Sequence, residues 1–299
     1  MFDPAASEPT ASNVAAFDLD AYLTRIGYAG PLAATLETLR AIALRHPSAI
    51  PFENLDAYLR RPVLLDVASL QRKLVSGGRG GWCFEHNLLL GTALAAMGFH
   101  PVALGARVLW NAPAGRIGPR SHMVLRLDLA DGPVIVDAGF GGLTLTAPLR
   151  LEADVEQHTP HGRFRLRRLD DDFALDAEIG GGWRPMYRFD LQPQRLADFE
   201  VSNWYLCHHP ASIFLAGVMA ARSAPGVRYA LHGCEMTTYV TGGPRERRVL
   251  ASGAELRATL QTTFGIDVPE GPDVDAALNR LPPPAMPPAS AFAEATADR

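Results

Sequence analysis

The stretch "SGGRGGWCFEHN", residues 76 to 87, sets a run of glycines against the start of a helical pattern, with Cys83 at the junction. Downstream, "NLLLGTALAAMG" carries apolar residues at three- and four-residue spacing and ends at Gly98, a natural C-terminal cap. The same periodicity runs back through "LAATLETLRAIALRH" to "LDAYLTRIG", so the chain from Asp18 to about Gly98 reads as packed helices. A cysteine just inside a helix start meets unsatisfied N–H groups and the positive end of the macrodipole, a setting that favours a thiolate. Glycines before it let backbone approach a substrate closely and can leave N–H groups free as an oxyanion hole. The competing reading is a cysteine simply buried at a tight helix contact, since free cysteine is a commonly buried residue type.

Working outward, short β-rich runs dominate from Pro101 to about Leu191: "PVALGARVLW", "HMVLRLDL", "PVIVDAGF" and "RFRLRRL", separated by Gly, Pro and Asp-Gly turns. They predict an antiparallel sheet or barrel. From "LADFEVSNWYLCHHPASIFLAGVMAAR" onward the signal is mixed, closing with a strand-like "EMTTYVTGG" and a helix-like "SGAELRATLQTTFG". The reading is α+β, with a helical domain over 1–98, a β-barrel domain over 99–205, an interdomain helical segment over 206–227 and an α/β lid over 228–280. Residues 1–16 and the Pro/Ala-rich tail 281–299 are expected to be disordered.

With 299 residues, 47% of them hydrophobic and 20% charged, the chain can bury a substantial core. A formal net charge of -4 gives no basic excess for nucleic acid or an anionic membrane, so neither is expected as a partner. The start, "MFDPAASEPT", lacks the basic and apolar regions of a secretory signal, and the longest apolar run, "LLLGTALAAMGF", is too short to span a bilayer. Cys83, Cys207 and Cys234 are too few and too odd in number for a disulfide scaffold, which points to reduced thiols in the cytoplasm. No C-x-x-C pair exists, so no metal site is expected. "SGGRGG" lacks the Gly-Lys-Ser/Thr ending of a phosphate-binding loop.

A thiolate nucleophile needs a base, and nine histidines compete for that role. His86 lies three residues after Cys83 on the same helix face, His122 opens a strand, and His208 and His209 sit in "CHHP". Only His122 has an obvious orienting partner nearby, Asp137 at the end of the next strand in "VIVDAGFGG". A two-residue turn at Asp131-Gly132 would set His122 opposite Gly141 and Asp137 opposite Arg126, about 13 Å apart at about 3.3 Å per residue. Contact therefore requires a shifted register, a wider loop or a bulge. Pro133, which cannot donate to a ladder, argues against that simple hairpin.

Five ordered blocks resemble the arylamine N-acetyltransferases: "IPFENLD" at 50–56, "GGRGGWCFEHN" at 77–87, "SHMVLRLDL" at 121–129, "VDAGFGGLTLTAPLRL" at 136–151 and "NWYLCHHPASIF" at 203–214. The resemblance implies a helical first domain, a β-barrel second and an α/β lid third, on a core shared with papain-like proteases and transglutaminases. It also implies a Cys83, His122, Asp137 triad, which resolves the contest among the histidines. Acetyl-CoA is the implied cosubstrate with no permanently bound cofactor, and arylamines, arylhydrazines and hydrazides are the acceptors, reached by a ping-pong route through an acetyl-Cys83 thioester. Nothing in the chain looks like the insertion carried by eukaryotic members, so it resembles the bacterial branch, although the Pro-rich tail departs from the family's short C-terminus. Phe52, Phe84, Phe140 and Phe214, with Gly139 and Gly141, are the candidates for a substrate and coenzyme pocket. The alternatives are a hydrolase or transglutaminase-like enzyme using the same triad, and a binding module in which Cys83 is merely packed; the oligomeric state is left open.

Overall fold

The computed structural model describes residues 17–280 except 114 and 116; the expected disorder at 1–16 and 281–299 lies outside them. Helices α1 (Leu19–Ile26), α2 (Leu36–Ala49), α3 (Leu55–Tyr58), α4 (Val67–Leu70) and α5 (Cys83–Ala96) make up the first part. Side chains of Asp18, Thr35 and Asp66 accept from the first-turn N–H groups of α1, α2 and α4, so short polar residues fix where those helices start. Helix α5 is buried on nearly every side, including Phe84, Leu89, Leu90 and Leu94. It ends where Gly98 takes φ 85°, as its sequence predicts.

The second part is an eight-stranded antiparallel sheet: β2 (Val102–Val108), β3 (His122–Leu129), β4 (Gly132–Val136), β5 (Leu149–Arg150), β6 (Glu156–Thr159), β7 (Gly162–Leu169), β8 (Asp172–Ile179) and β9 (Gly182–Pro193). Their spatial order is β5-β4-β3-β2-β9-β8-β7-β6, and the sheet curls into a nearly closed barrel. Gln157 spans the seam between the two edge strands: its Oε1 accepts from the Arg150 N–H (2.7 Å) and its Nε2 donates to the Arg150 carbonyl (2.9 Å). Period-two alternation divides β3 between two cores. Met123, Leu125 and Leu127 face the helices, and Val124 faces the barrel interior with Ile135, Phe164 and Tyr187.

The β3–β4 register differs from the simple expectation. Leu129 pairs with Gly132 and Leu125 with Val136, so the turn holds Ala130 and Asp131, one residue earlier. Continuing that register sets Asp137 two residues from His122 along the strand, about 7 Å rather than 13 Å, on the same face. Pro133 is tolerated because it sits opposite Asp128, next to the hydrogen-bonded pair that closes the turn, and so points its bonding groups away from β3. Its carbonyl accepts from the Leu151 N–H (2.9 Å) on the far side.

The segment 206–227 is not an interdomain helix. Helix α6 (Leu196–His208) begins ten residues earlier, and Pro210 follows its end. Residues 219–224 instead form β10 (Met219–Ala224), whose alternating burial fits a strand. It joins β11 (Val227–His232), β12 (Glu235–Val240) and β13 (Arg245–Val249) in a second sheet. One edge of that sheet is β1 (Phe52–Glu53), contributed by the helical part, and the other is β13. Helices α7 (Gly253–Thr259) and α8 (Pro272–Leu278) share one core with it, around Leu231, Leu256 and Phe264. Among the described residues no helix is long and apolar enough to cross a membrane.

Because Gln157 is the side chain that links the barrel's edges, Gln157→Ala is expected to lower unfolding free energy by about 1 kcal/mol and to speed amide exchange at Arg150. Urea denaturation and hydrogen exchange check both.

Candidate active site

Cys83 is the first residue of α5 and is 4% exposed. The glycines before it serve close packing, not an open cradle. A Cβ on Gly80 would lie 1.9 Å from the Pro51 carbonyl oxygen, and one on Gly81 would lie 2.5 Å from Glu85 Oε2. The Gly81 N–H is already engaged with the Pro51 carbonyl (3.3 Å), so it is no free oxyanion donor. Glu85, in the first turn, accepts from the Trp82 N–H (3.0 Å) and pairs with Lys73 (2.7 Å), which also reaches Asp56 (2.6 Å). Arg79 pairs with Glu53 (2.7 Å) and Asp56 (3.2 Å). Burial works against the Lys73 charge, but Glu85, Glu53 and Asp56 outweigh it and hold that ammonium above its ordinary range.

His122 opens β3 and places Nε2 2.7 Å from Asp137 Oδ2, with both side chains buried. Since Nε2 serves the carboxylate, Nδ1 is the ring nitrogen left for Cys83, whose charge favours the imidazolium. Cys83 Sγ also lies 3.7 Å from the Ser121 carbonyl. Asp137 is itself held: Oδ1 accepts from Asn87 Nδ2 (2.9 Å) and from the Gly139 N–H (2.8 Å). Asn87 adds a bond to the Met123 carbonyl (2.8 Å) and accepts from the Ala138 N–H (3.0 Å), tying α5 to both strands of the hairpin. Burial alone would lower the His122 pKa, yet Asp137 and Cys83 reverse it and raise it to about 10. Burial would raise the Asp137 pKa, and His122, Asn87 and the Gly139 N–H hold it below the ordinary carboxylate range.

The structure therefore brings Cys83, His122 and Asp137 together and separates the other histidines from them. His86 points into the core, where burial lowers its pKa to about 4. His208 and His209 are exposed and stack on Trp204 and Tyr205 of α6. Phe140 meets the His122 ring edge-on at 5.1 Å. Phe52 and Phe214 are half-buried neighbours (6.4 Å), and a Cβ on Gly141 would touch the Phe52 ring at 3.6 Å. Phe84 is a correction: it is fully buried and packs on Phe199 at 5.6 Å, because one step along a helix turns its side chain away from the face that Cys83 uses. Gly139 is needed against the nucleophile, since a Cβ there would lie 2.5 Å from Cys83 Cα.

Three contributors went unread in the sequence. Asn87 stands four residues after Cys83 on one helix face, a signal that was present in the spacing. Tyr187, on β9, packs its ring 4.8 Å from His122, and nothing local in sequence announces that long-range contact. Asn203 accepts from Trp82 Nε1 (3.0 Å) and so anchors the residue before the nucleophile.

The family model described as N-acetyltransferase matches residues 35–273. The arylamine N-acetyltransferase of Mycolicibacterium smegmatis is 42% identical over 267 residues, covering 87% of this chain and 97% of its own. The chain belongs to the arylamine N-acetyltransferase family. The Escherichia coli arylamine N-acetyltransferase is 41% identical over 252 residues, covering 84% of this chain and 89% of its own. Among solved structures, the Mycobacterium marinum arylamine N-acetyltransferase superposes with a TM-score of 0.85 at 38% identity, over 88% of this chain and 99% of that one. The structure of that protein in complex with CoA gives the same values. These arylamine N-acetyltransferase structures share the α+β architecture described above.

Two predictions follow from the geometry. Gly139→Ala drives a Cβ into the backbone of Cys83, so iodoacetamide labelling of Cys83 is expected to slow at least about tenfold. His122 has a folded-state pKa of about 10 against about 6.5 unfolded, so its stabilisation is complete below about pH 6.5 and is lost as pH rises toward 10. The unfolding free energy of the wild type relative to His122→Gln, measured across that range, should fall steadily.

Proposed function

We propose that Cys83, His122 and Asp137 move the acetyl group of acetyl-CoA to the amine of arylamines, arylhydrazines and hydrazides through a thioester on Cys83. The observation that carries this is a buried imidazole held by Asp137 on Nε2 at 2.7 Å, with Nδ1 left for the Cys83 thiol, whose charge favours the protonated ring. Transfer of the Cys83 proton to His122 Nδ1 makes a thiolate–imidazolium ion pair, and Sγ attacks the thioester carbonyl of acetyl-CoA. Collapse expels the coenzyme sulfur, which takes the Nδ1 proton and leaves as the thiol. The amine then attacks the acetyl-Cys83 carbonyl and gives its proton to His122, and Cys83 departs as thiolate, restoring the ion pair. Asp137 keeps Nε2–H oriented throughout, and Asn87 with the Gly139 N–H keeps Asp137 oriented.

Phe140 against His122, and Phe52, Gly141 and Phe214 beside one another, supply apolar surfaces suited to a flat ring. The CoA complex of the Mycobacterium marinum relative supports coenzyme A as the donor carrier. Cys83, Cys207 and Cys234 form no disulfide among the described residues, which suits a reducing compartment such as the cytoplasm. Burial pushes the Cys207 thiol up to about 11, so it is a poor competitor for electrophiles.

Incubated with acetyl-CoA alone, the protein is expected to release up to one equivalent of coenzyme and to carry acetyl on the Cys83 peptide by mass spectrometry. That group should pass to an added arylamine and hydrolyse slowly without one, which separates a transferase from a hydrolase. Cys83→Ala is expected to fold and to lose both steps. Coenzyme release that waits for the acceptor, with intersecting double-reciprocal lines, would overturn the covalent route.

A further inference from the structure

Beneath the nucleophile lies a chain of buried polar side chains that the proposed reaction does not use. Tyr22 Oη is 2.8 Å from His46 Nδ1, His46 Nε2 is 3.0 Å from His86 Nδ1, and His86 Nε2 is 3.1 Å from the Pro51 carbonyl. Tyr22, His46 and His86 are all 0% exposed and come from α1, α2 and α5.

The end of the chain fixes its direction. A carbonyl only accepts, so His86 Nε2 carries the hydrogen and, in the neutral ring, Nδ1 is bare. A bare His86 Nδ1 requires the hydrogen on His46 Nε2, which leaves His46 Nδ1 to accept from the Tyr22 hydroxyl. The reverse order would aim the bare Nε2 of His86 at the Pro51 oxygen. Burial and the absence of a carboxylate partner among the groups bonded to either ring keep both imidazoles neutral, consistent with lowered pKa values for His46 and His86.

The end point lies beside the nucleophile. The Pro51 carbonyl also accepts from the N–H of Gly81, two residues before Cys83, whereas His86 lies three residues after it. Both flanks of Cys83 are thus tied to one oxygen. Phe52 follows directly, with its ring parallel to that of His86 (8°, centroids 6.5 Å apart) and next to Gly141 and Phe214. An apolar core at these sites would avoid desolvating three polar groups, but a fully satisfied network specifies one arrangement where apolar packing tolerates several.

We propose that Tyr22, His46 and His86 form a one-directional hydrogen-bond relay that fixes the Pro51–Phe52 segment relative to the nucleophile helix, making them positioning residues for the aromatic acceptor. This rests on the reading of Cys83 as the acetyl carrier and of Phe52 as part of the acceptor wall.

Nitrogen-15 NMR of the histidine-labelled full chain tests the direction without any substitution. Two buried rings protonated at Nε2 and bare at Nδ1 are expected for His46 and His86; an Nδ1–H form at either overturns the relay. Tyr22→Phe keeps the ring but removes the terminal donor; because the Pro51 carbonyl sets the direction from the other end, His46 is expected to stay protonated at Nε2. A switch of His46 to the Nδ1–H form in that variant overturns the relay's direction. For function, His86→Phe keeps an aromatic ring beside Phe52 and loses the bond to Pro51, whereas the amide of His86→Gln can both donate to Pro51 and accept from His46. The arylamine KM is expected to rise about tenfold in His86→Phe, as for loss of one buried hydrogen bond, and to return to within about threefold of wild type in His86→Gln. The coenzyme burst from acetyl-CoA alone should persist in both. An unchanged acceptor KM in His86→Phe, or equal impairment in the two variants, refutes the positioning role. A missing burst in the wild type would instead defeat the covalent reading and leave the tautomer result standing.

Discussion

At residue 139 the turn after β4 lies so close to Cys83 that no side chain fits between them. Only glycine permits this contact, and most of the site follows from it. The same turn sends the Gly139 N–H to Asp137 Oδ1 and the Ala138 N–H to Asn87 Oδ1, so the helix that carries the thiol and the hairpin that carries the carboxylate are bonded within one helical turn of Cys83. His122 then needs no long reach: it faces Asp137 across the end of a ladder whose pairing stops at Val136. The thiol comes from helix α5 and the imidazole and carboxylate from the β3–β4 hairpin, and this seam is what makes them one constellation.

The seam also separates two kinds of buried histidine. His122 and His86 are both excluded from water, and burial pushes both toward the neutral form. The difference lies in the partner. A carboxylate hydrogen-bonded to His122 at 2.7 Å makes the imidazolium the favoured state, whereas burial keeps His86 neutral despite the weaker pull of Asp137 and of backbone carbonyls. A direct hydrogen bond to a carboxylate thus separates a ring that can hold a proton during acyl transfer from one that serves as a fixed strut. That difference is invisible in the spacing from Cys83, which favours His86 by being local.

Legibility in the sequence follows the range of the physics. The helical run through α5, its stop at Gly98, the β-rich middle and the closing α/β signal rest on periodicity within one element, and the structure matches them. The helical reading of 206–227 failed because apolar residues around β10 carry no clean period, and the strand is decided by pairing with β1 and β11. The β3–β4 register was legible only as a departure from the simple Asp131-Gly132 hairpin; which shifted register forms is settled by packing of Met123, Leu125 and Val136 against the helices. Cys83, His122 and Asp137 were named with help from family resemblance; residues alone left the base undecided. Phe84 was misread because adjacency in sequence was taken for adjacency in space, and Tyr187 was missed because its contact with His122 spans two strands of the barrel.

The glycine run before the nucleophile is therefore not a flexible hinge. Its small residues admit the Pro51 carbonyl and the Glu85 carboxylate at distances no Cβ allows, and the side chains between them complete a network of two cations and three carboxylates. Removing Lys73 would leave Glu85, and removing Arg79 would leave Glu53, buried without its counterion, a loss on the order of 3–5 kcal/mol, so the loop is held from both sides. A thiol at a helix start gains little from the macrodipole if the preceding loop wanders, because the orientation of its N–H groups would be lost. Here the loop is locked by charge, the first turn by Glu85 on the Trp82 N–H, and the facing turn by Gly139. The nucleophile is thus positioned before any substrate arrives, and the ordering entropy is met in folding, not in each turnover.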